Sequence, residues 1–442
     1  MSKWLRMYKR TGLYDVYNFS DTGGKARSSL LFATMVQAAT NGLTGGVFYT
    51  GLLLSYGINI VNISILTFIP YIASIFSLLT PYILGRFKKR RRVLAIARFV
   101  YYIVNILGIT LLPQLVVDES ARIVGLVAIT FLHSIINFTF FPGYLPWHMH
   151  YITPDIRIPY ISSTNIVSNI CSTGVMIFTS LFTDRLQGAD QQNLIIVLRY
   201  VALALSMVDI YFMSAPKEPE YLESTKKVSI TDIFRIPLSN ARFMWTLLVQ
   251  VIYTFVVNIV NGVYTTWVLN DVQCGYLYFN ILGSLGGISL ILTGGFWNRK
   301  MQKMGTFRMF VLSALAFAPT YILQGFINSQ NFMVVMTTVY VLQNLLVPSR
   351  TYSASNLIYI NLPKEDQTCY TSFYSIINNI AAFVSLFTGT MIVSVMGDTT
   401  ITLFGQTLGS IPMILIGMGL LHFVMALFVW IIRGKVETDA KI

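Results

Sequence analysis

Apolar residues run along this chain in long blocks, and polar residues collect in short stretches between them. A helix that spans a bilayer needs about 20 mostly apolar residues. Twelve blocks reach that length: 29–56, 58–84, 93–113, 122–147, 162–183 and 193–213, then 242–269, 275–297, 306–327, 331–359, 370–396 and 406–432. The hydrophilic stretch 214–241 divides them into two groups of six. The pattern predicts an all-α membrane protein: an N-terminal tail at 1–28, a six-helix bundle at 29–213, a linker at 214–241, a second bundle at 242–432 and a tail at 433–442.

Composition agrees with lipid as the surrounding medium. Charged residues make up 11% of the 442 and hydrophobic residues 55%, where soluble chains carry roughly 25% charge. The net charge of +13 would suit nucleic acid or a membrane surface, and the positions of the charges decide. They lie in loops between apolar blocks, so membrane lipid is the expected partner and nucleic acid is not. Lys and Arg stay on the cytoplasmic side of a membrane protein. With the N-terminus inside, that side receives the N-terminal tail, Arg86 to Arg92, Arg157, Lys217 to Arg242, Arg299 to Arg308, Lys364 and the C-terminal Arg433, Lys435 and Lys441. The outer loops receive only Arg122 and Arg185, with Arg199 just inside the sixth span. The expected protein is an integral, multi-pass chain of the plasma (inner) membrane with both termini cytoplasmic and no cleavable signal peptide. Cys171, Cys274 and Cys369 lie far apart with no paired spacing and read as free thiols.

The halves repeat. At an offset of 209 residues, Gly85-Arg86-Phe87-Lys88-Lys89-Arg90-Arg91 falls on Gly294-Gly295-Phe296-Trp297-Asn298-Arg299-Lys300, Pro154 on Pro363, Asn41 on Gln250 and Asn169 on Asn378. Six spans is an even number, so both halves have the same orientation. The repeat is parallel, about a pseudo-two-fold axis along the membrane normal.

Twelve spans in six plus six, a linker between them, and the loop Gly85-Arg86-Phe87-Lys88-Lys89-Arg90-Arg91-Arg92 between spans two and three resemble the major facilitator superfamily. The family signature in that loop carries an aspartate that is absent here, and Asn298-Arg299-Lys300 is a similarly reduced copy. The resemblance covers the whole chain as architecture and assigns no subfamily. It implies secondary transport by alternating access, with spans one, four, seven and ten around a central cavity. Gly85, Arg86, Arg90, Arg91 and Arg299 would then form a cytoplasmic gate.

Polar residues inside the spans point to the same helices. Gln37, Asn41 and Thr44 share one face of span one, with Tyr49 further along. Span four carries His133, Asn137 and Tyr144. Span seven carries Gln250, Thr254, Asn258, Asn261 and Thr265. Span ten carries Tyr340, Gln343, Asn344 and Arg350, and spans five and eleven add Asn165, Asn169, Tyr374 and Asn378. Amides donate and accept hydrogen bonds, and aromatic faces pack on sugar C–H surfaces. The set suits a neutral sugar, glycoside or other polar organic solute. Interhelical hydrogen bonding is the competing role for each amide.

Arg350 lies about two helical turns inside span ten. It has three candidate roles: an anchor for an organic anion, a partner for helix-end carbonyls at the inner mouth, or a cation snorkelling to headgroups. Asp209, near the cytoplasmic end of span six, is the only carboxylate within the spans, and none lies on the cavity helices. Coupling therefore stays open between facilitated diffusion, exchange and proton coupling through His133, which titrates near neutrality, with H+ or Na+ as the candidate ion. An amphiphile, drug or lipid carrier and a non-transporting solute sensor are the other readings. No Ser-His-Asp set or paired carboxylates occur in the spans, so no enzyme is expected. His148 and His150 are too few for a metal, and Gly283 to Gly295 lacks the Lys-Ser/Thr of a phosphate loop. No cofactor is expected, and a monomer is the default.

Overall fold

The computed structural model describes residues 16–17, 21–84, 86–87, 89–152, 154–218, 230–363, 366–397 and 399–436. Gly85 of the expected gate lies outside them. Among the described residues ten helices are long and apolar enough to cross a membrane, and a bent pair at Tyr276–Leu290 and Leu292–Met304 makes an eleventh if it is one span. The first expected span is helical but broken. Helix α1 (Thr22–Thr44) ends at Gly45, and α2 (Gly46–Ser55) restarts from a Gly46 with φ of +54°. Gln37, Thr40, Asn41 and Thr44 dilute its apolar character. The helix begins at Thr22 rather than at 29, with Asp21 capping its start through Gly24 N–H.

Span two is also discontinuous. α3 (Ile60–Ala73) contains Pro70, is followed by a 3₁₀ stretch at Ser74–Leu79 and resumes as the short α4 (Thr80–Leu84). Proline removes an N–H and crowds the preceding turn, so this is where regular helix gives way. The third span is α5 (Arg91–Tyr102), a π-turn at Ile103–Gly108 and α6 (Ile109–Leu115). The fourth is α7 (Glu119–Phe140), leading through a 3₁₀ turn to α8 (Tyr144–Met149). Then come α9 (Pro154–Thr183) and α10 (Gly188–Ser214).

The second half opens with α11 (Ile230–Leu238), a helix within the expected linker. α12 (Ala241–Asn258) and α13 (Asn261–Asn270) make span seven. α14 (Tyr276–Met304), α15 (Thr306–Gln324), α16 (Phe332–Ile360), α17 (Gln367–Met396) and α18 (Ser410–Val436) follow. α14 bends by 51° between Leu290 and Leu292, where Ser289, Gly294 and Gly295 weaken the helix. The twelfth span was expected from 406. Instead Gln406–Leu408 is strand β2, paired antiparallel with β1 (Ile401–Leu403), and the helix starts at Ser410.

Contacts divide the chain into two units, Met1–Gly57 with Ala73–Glu223, and Ile58–Ile72 with Ser224–Ile442. In the first, α1 packs on α9 and α10, and α5 on α7. Gly42 permits the close approach of α1 to α9, since a Cβ there would lie 3.3 Å from the Ser172 carbonyl and from Met176. In the second, α15 packs on α16 and α18, α14 on α16, and α12 on α17. The stretch Ile58–Ile72 belongs to this unit. Phe68 meets Phe383 at 5.2 Å, and Ser64 and Thr390 share a hydrogen bond. Cys171, Cys274 and Cys369 form no disulfide among the described residues.

Candidate functional site

In the first unit, hydroxyls on α1 turn back onto their own helix. Thr34, Thr40 and Thr44 donate to the carbonyls of Leu30, Val36 and Thr40 at 2.8, 3.0 and 2.8 Å. An amide on the next face has no such outlet. Gln37 is half-buried and Asn41 exposed, and neither side chain has a hydrogen-bond partner among the described residues. Asn137 on α7 and Asn165 and Asn169 on α9 are likewise unpartnered. His133 lies edge-on to Tyr101 at 5.8 Å, and its Nδ1 makes no hydrogen bond. Tyr49 on α2 is half-buried.

Two arginines in this unit are fully buried and fully engaged. Arg199 on α10 donates to Thr110 Oγ1 at 2.6 Å and to the carbonyls of Thr44 and Asn105 at 3.0 and 3.1 Å. The Thr44 carbonyl is orphaned by the break between α1 and α2, and a guanidinium is a fitting cap for a helix C-terminus. Arg98 on α5 pairs with Asp209 on α10 at 2.6 Å, and Tyr102 Oη donates to the same carboxylate oxygen at 2.7 Å. The guanidinium lies 4.7 Å from the centre of the Phe141 ring. Asp209, read from sequence only as a carboxylate near a helix end, is the counter-ion of Arg98. The sequence reading passed over Arg98; the signal was present, since opposite charges on two apolar helices seek each other.

In the expected gate, Arg86 is exposed and donates to Tyr82 Oη at 2.6 Å. The backbone N–H groups of Arg90 and Arg91, at the start of α5, donate to Glu218, the latter at 3.2 Å. A carboxylate at a helix N-terminus satisfies orphan donors and opposes the dipole. Glu218, far along the chain, thus supplies a carboxylate to a loop that lacks one of its own. Arg299 is exposed and donates to the Gly295 carbonyl at 3.2 Å.

The second unit ties its amides together. Gln250 Nε2 and Thr254 Oγ1 both donate to Asn378 Oδ1, the former at 3.5 Å. Asn258 donates to the Thr254 carbonyl at 2.8 Å, and Asn261 to Asn258 Oδ1 at 3.0 Å. Gln343 donates to Thr320 Oγ1 and Gln324 Oε1, both at 3.2 Å, and Gln324 to Tyr264 Oη at 2.6 Å. Gln324 on α15 and His422 on α18 are both buried. Asn344 donates to the Leu282 carbonyl at 3.4 Å and binds α16 to α14.

Arg350 donates to Tyr321 Oη at 2.9 Å, with its guanidinium 4.5 Å from the Phe317 ring centre. It makes no bond to helix-end carbonyls and no ion pair among the described residues. A cavity of about 10 Å³ between Arg350, Tyr253, Ser313, Ser353 and His422 has room for about one water. His422 Nδ1 is held by the Met418 carbonyl at 2.8 Å, and its Nε2 has no partner.

The two halves therefore treat equivalent positions differently. Gln250 and Asn378 bond each other, while their counterparts Asn41 and Asn169 stand open on the packed pair α1 and α9. Inside a bilayer an unpartnered amide must meet water or a solute.

A search of curated proteins found no match. Among solved structures, a point variant of the nucleoside transporter NupG superposes with a TM-score of 0.72 at 13% identity, covering 93% of this chain and 100% of that one. The xylose transporter XylE from E. coli, inward open, gives 0.62 at 15% identity, with 96% and 97% covered. A POT family transporter in complex with 5-aminolevulinic acid gives 0.63 at 12%, with 93% and 96% covered. The sequence profile of the Major Facilitator Superfamily matches residues 30–386. With helices of membrane-crossing length on both sides of a linker and a superfamily match along most of its length, this chain belongs to the Major Facilitator Superfamily and is an integral membrane transporter.

Proposed function

We propose that this transporter carries a neutral polyhydroxy solute, a sugar or glycoside with nucleosides inside that class, across the plasma membrane by alternating access. The observation that carries this reading is the open amide set Gln37, Asn41, Asn137 and Asn169 on helices one, four and five. Amides without protein partners among the described residues offer paired donors and acceptors to hydroxyls, and the neighbouring Arg199 guanidinium is already spent on Thr110, Thr44 and Asn105. Tyr49 and His133 add ring faces beside them. NupG and XylE, which resemble this chain in fold, are by name carriers of a nucleoside and a pentose. The termini and the basic loops lie in the cytoplasm, by the distribution of Lys and Arg.

The test is radiolabelled uptake into proteoliposomes, with and without an imposed pH or Na+ gradient, of uridine, xylose and methyl glucoside against a carboxylate panel. Asn41→Ala and Asn137→Ala each lower uptake efficiency for the neutral solute by roughly tenfold, the value of one good hydrogen bond. Unchanged uptake in both variants would remove the amide site.

A second reading rests on Arg350. Its guanidinium has a neutral phenol for a partner and no carboxylate among the described residues, which suits an organic anion. Uptake confined to carboxylates and lost with Arg350→Gln would favour it over the neutral solute.

A further inference from the structure

The second unit holds a far larger cavity than the one at Arg350. It encloses about 580 Å³ where α13, the turn after α15, the end of α17 and the β1–β2 hairpin come together. Small-molecule sites commonly span roughly 300–1,000 Å³. By the alternation of spans it lies on the face opposite the basic loop at Arg299 to Arg308, the outer face in the orientation proposed above. Its lining is polar and mixed: the Asp271 carboxylate, the Asn328 amide, the hydroxyls of Ser329, Thr400 and Thr407, and the indole of Trp267.

Trp267 is only 5% exposed, so it is not a ring lying out in the headgroup belt. Asp271 is exposed and has no ion pair among the described residues. Although its surface is open to the cavity, the surrounding protein displaces part of its hydration and raises its carboxyl above the ordinary value. A half-desolvated carboxylate gains from any donor brought to it. Asp271 is the only charged side chain in the described lining, so the cavity repels anions.

The hairpin forms one wall. Phe404 and Gly405 have φ of +51° and +77°, the two left-handed residues of a tight type I′ connection. The Phe404 ring lies 6.1 Å from Phe326 in the turn after α15, on the outside of the tip, where Phe404 is 88% exposed. β2 then places Thr407 opposite Thr402 and towards the cavity, while Leu408 is buried behind it.

We propose that this cavity is an outer capture site for the neutral polyhydroxy solute, distinct from the amide set on helices one and four. Asp271 accepts from its hydroxyls, Asn328 donates to them from Nδ2 while its Oδ1 takes the N–H groups of Gln330 and Asn331, and Trp267 forms the apolar floor. The assignment of the solute rests on the reading under Proposed function; the site itself does not.

The test is protection of Thr400→Cys in the full-length chain, in cells, from a membrane-impermeant methanethiosulfonate. The native chain, whose own cysteines are buried or half-buried, sets the background. Uridine and methyl glucoside are expected to slow labelling, with gluconate and choline as charged controls. Asp271→Asn and Thr407→Val should each raise the half-protecting concentration, the former by roughly tenfold. Absence of protection by either neutral solute overturns the site, as does equal protection by gluconate. Protection by choline alone overturns the neutral assignment. Uptake of the same solutes is measured in parallel. Uptake without protection removes the outer site and leaves the proposed function standing. Protection without uptake leaves the outer site and removes the proposed function for those solutes.

Discussion

Arg98 and Asp209 are 2% and 0% exposed, and they stand on helices that cross the membrane. Their pairing at 2.6 Å, with Tyr102 Oη on the same oxygen, is what allows either charge to remain there. Asp209→Asn leaves a buried guanidinium uncompensated. Breaking a buried pair in this way is expected to lower stability by about 3–5 kcal/mol. The double variant Arg98→Met, Asp209→Leu should recover most of the loss, because it removes both desolvation penalties. Thermal unfolding in detergent, followed by circular dichroism, reads both. A double variant as unstable as Asp209→Asn would mean that the pair is needed for something other than charge balance. At this scale the sequence was partly legible. The amide stripes on spans one, four, seven and ten follow from helical spacing. Which amides are spent on neighbours did not follow, because hydrogen bonds such as Gln324 to Tyr264 depend on helix rotation and separation. The partner of Asp209 was hidden for the same reason, since it lies 111 residues away.

Helix α17 runs against the junction of α12 and α13 with almost no clearance. A Cβ built at Gly389 would fall 1.7 Å from the Ile259 carbonyl oxygen and 2.9 Å from its carbon. Both are backbone atoms, which do not swing aside as the end of a side chain does. Gly389→Ala is therefore expected to push the helices apart and destabilise the second unit by about 1–3 kcal/mol or more. Gly174 on α9 has nothing within 4 Å of its Cβ position, and Gly174→Ala should be neutral or slightly stabilising through helix propensity. Equal melting temperatures for the two variants would contradict the close approach. Spans were legible at this scale because apolar blocks of membrane-crossing length have few other uses. Their interruptions were less so. Gly45-Gly46 and Pro70 are visible as breakers in the sequence, yet the chain reads as continuously apolar across both. The hairpin at 401–408 was missed outright. Phe404-Gly405 is not the Asn-Gly or Asp-Gly pair that announces a tight hairpin, and its apolar residues merge with the helix that follows.

For the whole molecule, the charge of +13 is a statement about sidedness rather than fold. By the alternation of spans read from the sequence, Arg86, Lys89 to Arg92, Arg299, Lys300, Lys303 and Arg308 are expected at one end of the spans. The other end holds Arg122 and Arg185. Of these, Arg122 is occupied in structure: it donates to the carbonyls of Tyr56, Val116 and Val117 at 2.8, 3.0 and 3.1 Å, where helices end and carbonyls lack partners. A cation used as a cap is weak as an orientation signal, so the bias is steeper than the count alone suggests. The expected outcome is that Val117→Cys, at a position 87% exposed between α6 and α7, labels in intact cells with an impermeant thiol reagent. Gln302→Cys, near the end of α14 beside Lys303, should label only after the membrane is opened. Reversed labelling would place the basic loops outside and turn the capture cavity beside Asp271 into an inner vestibule. The amide set on helices one and four would keep its chemistry, but the solute would meet the two sites in the opposite order, which changes the proposed direction of capture and not its recognition.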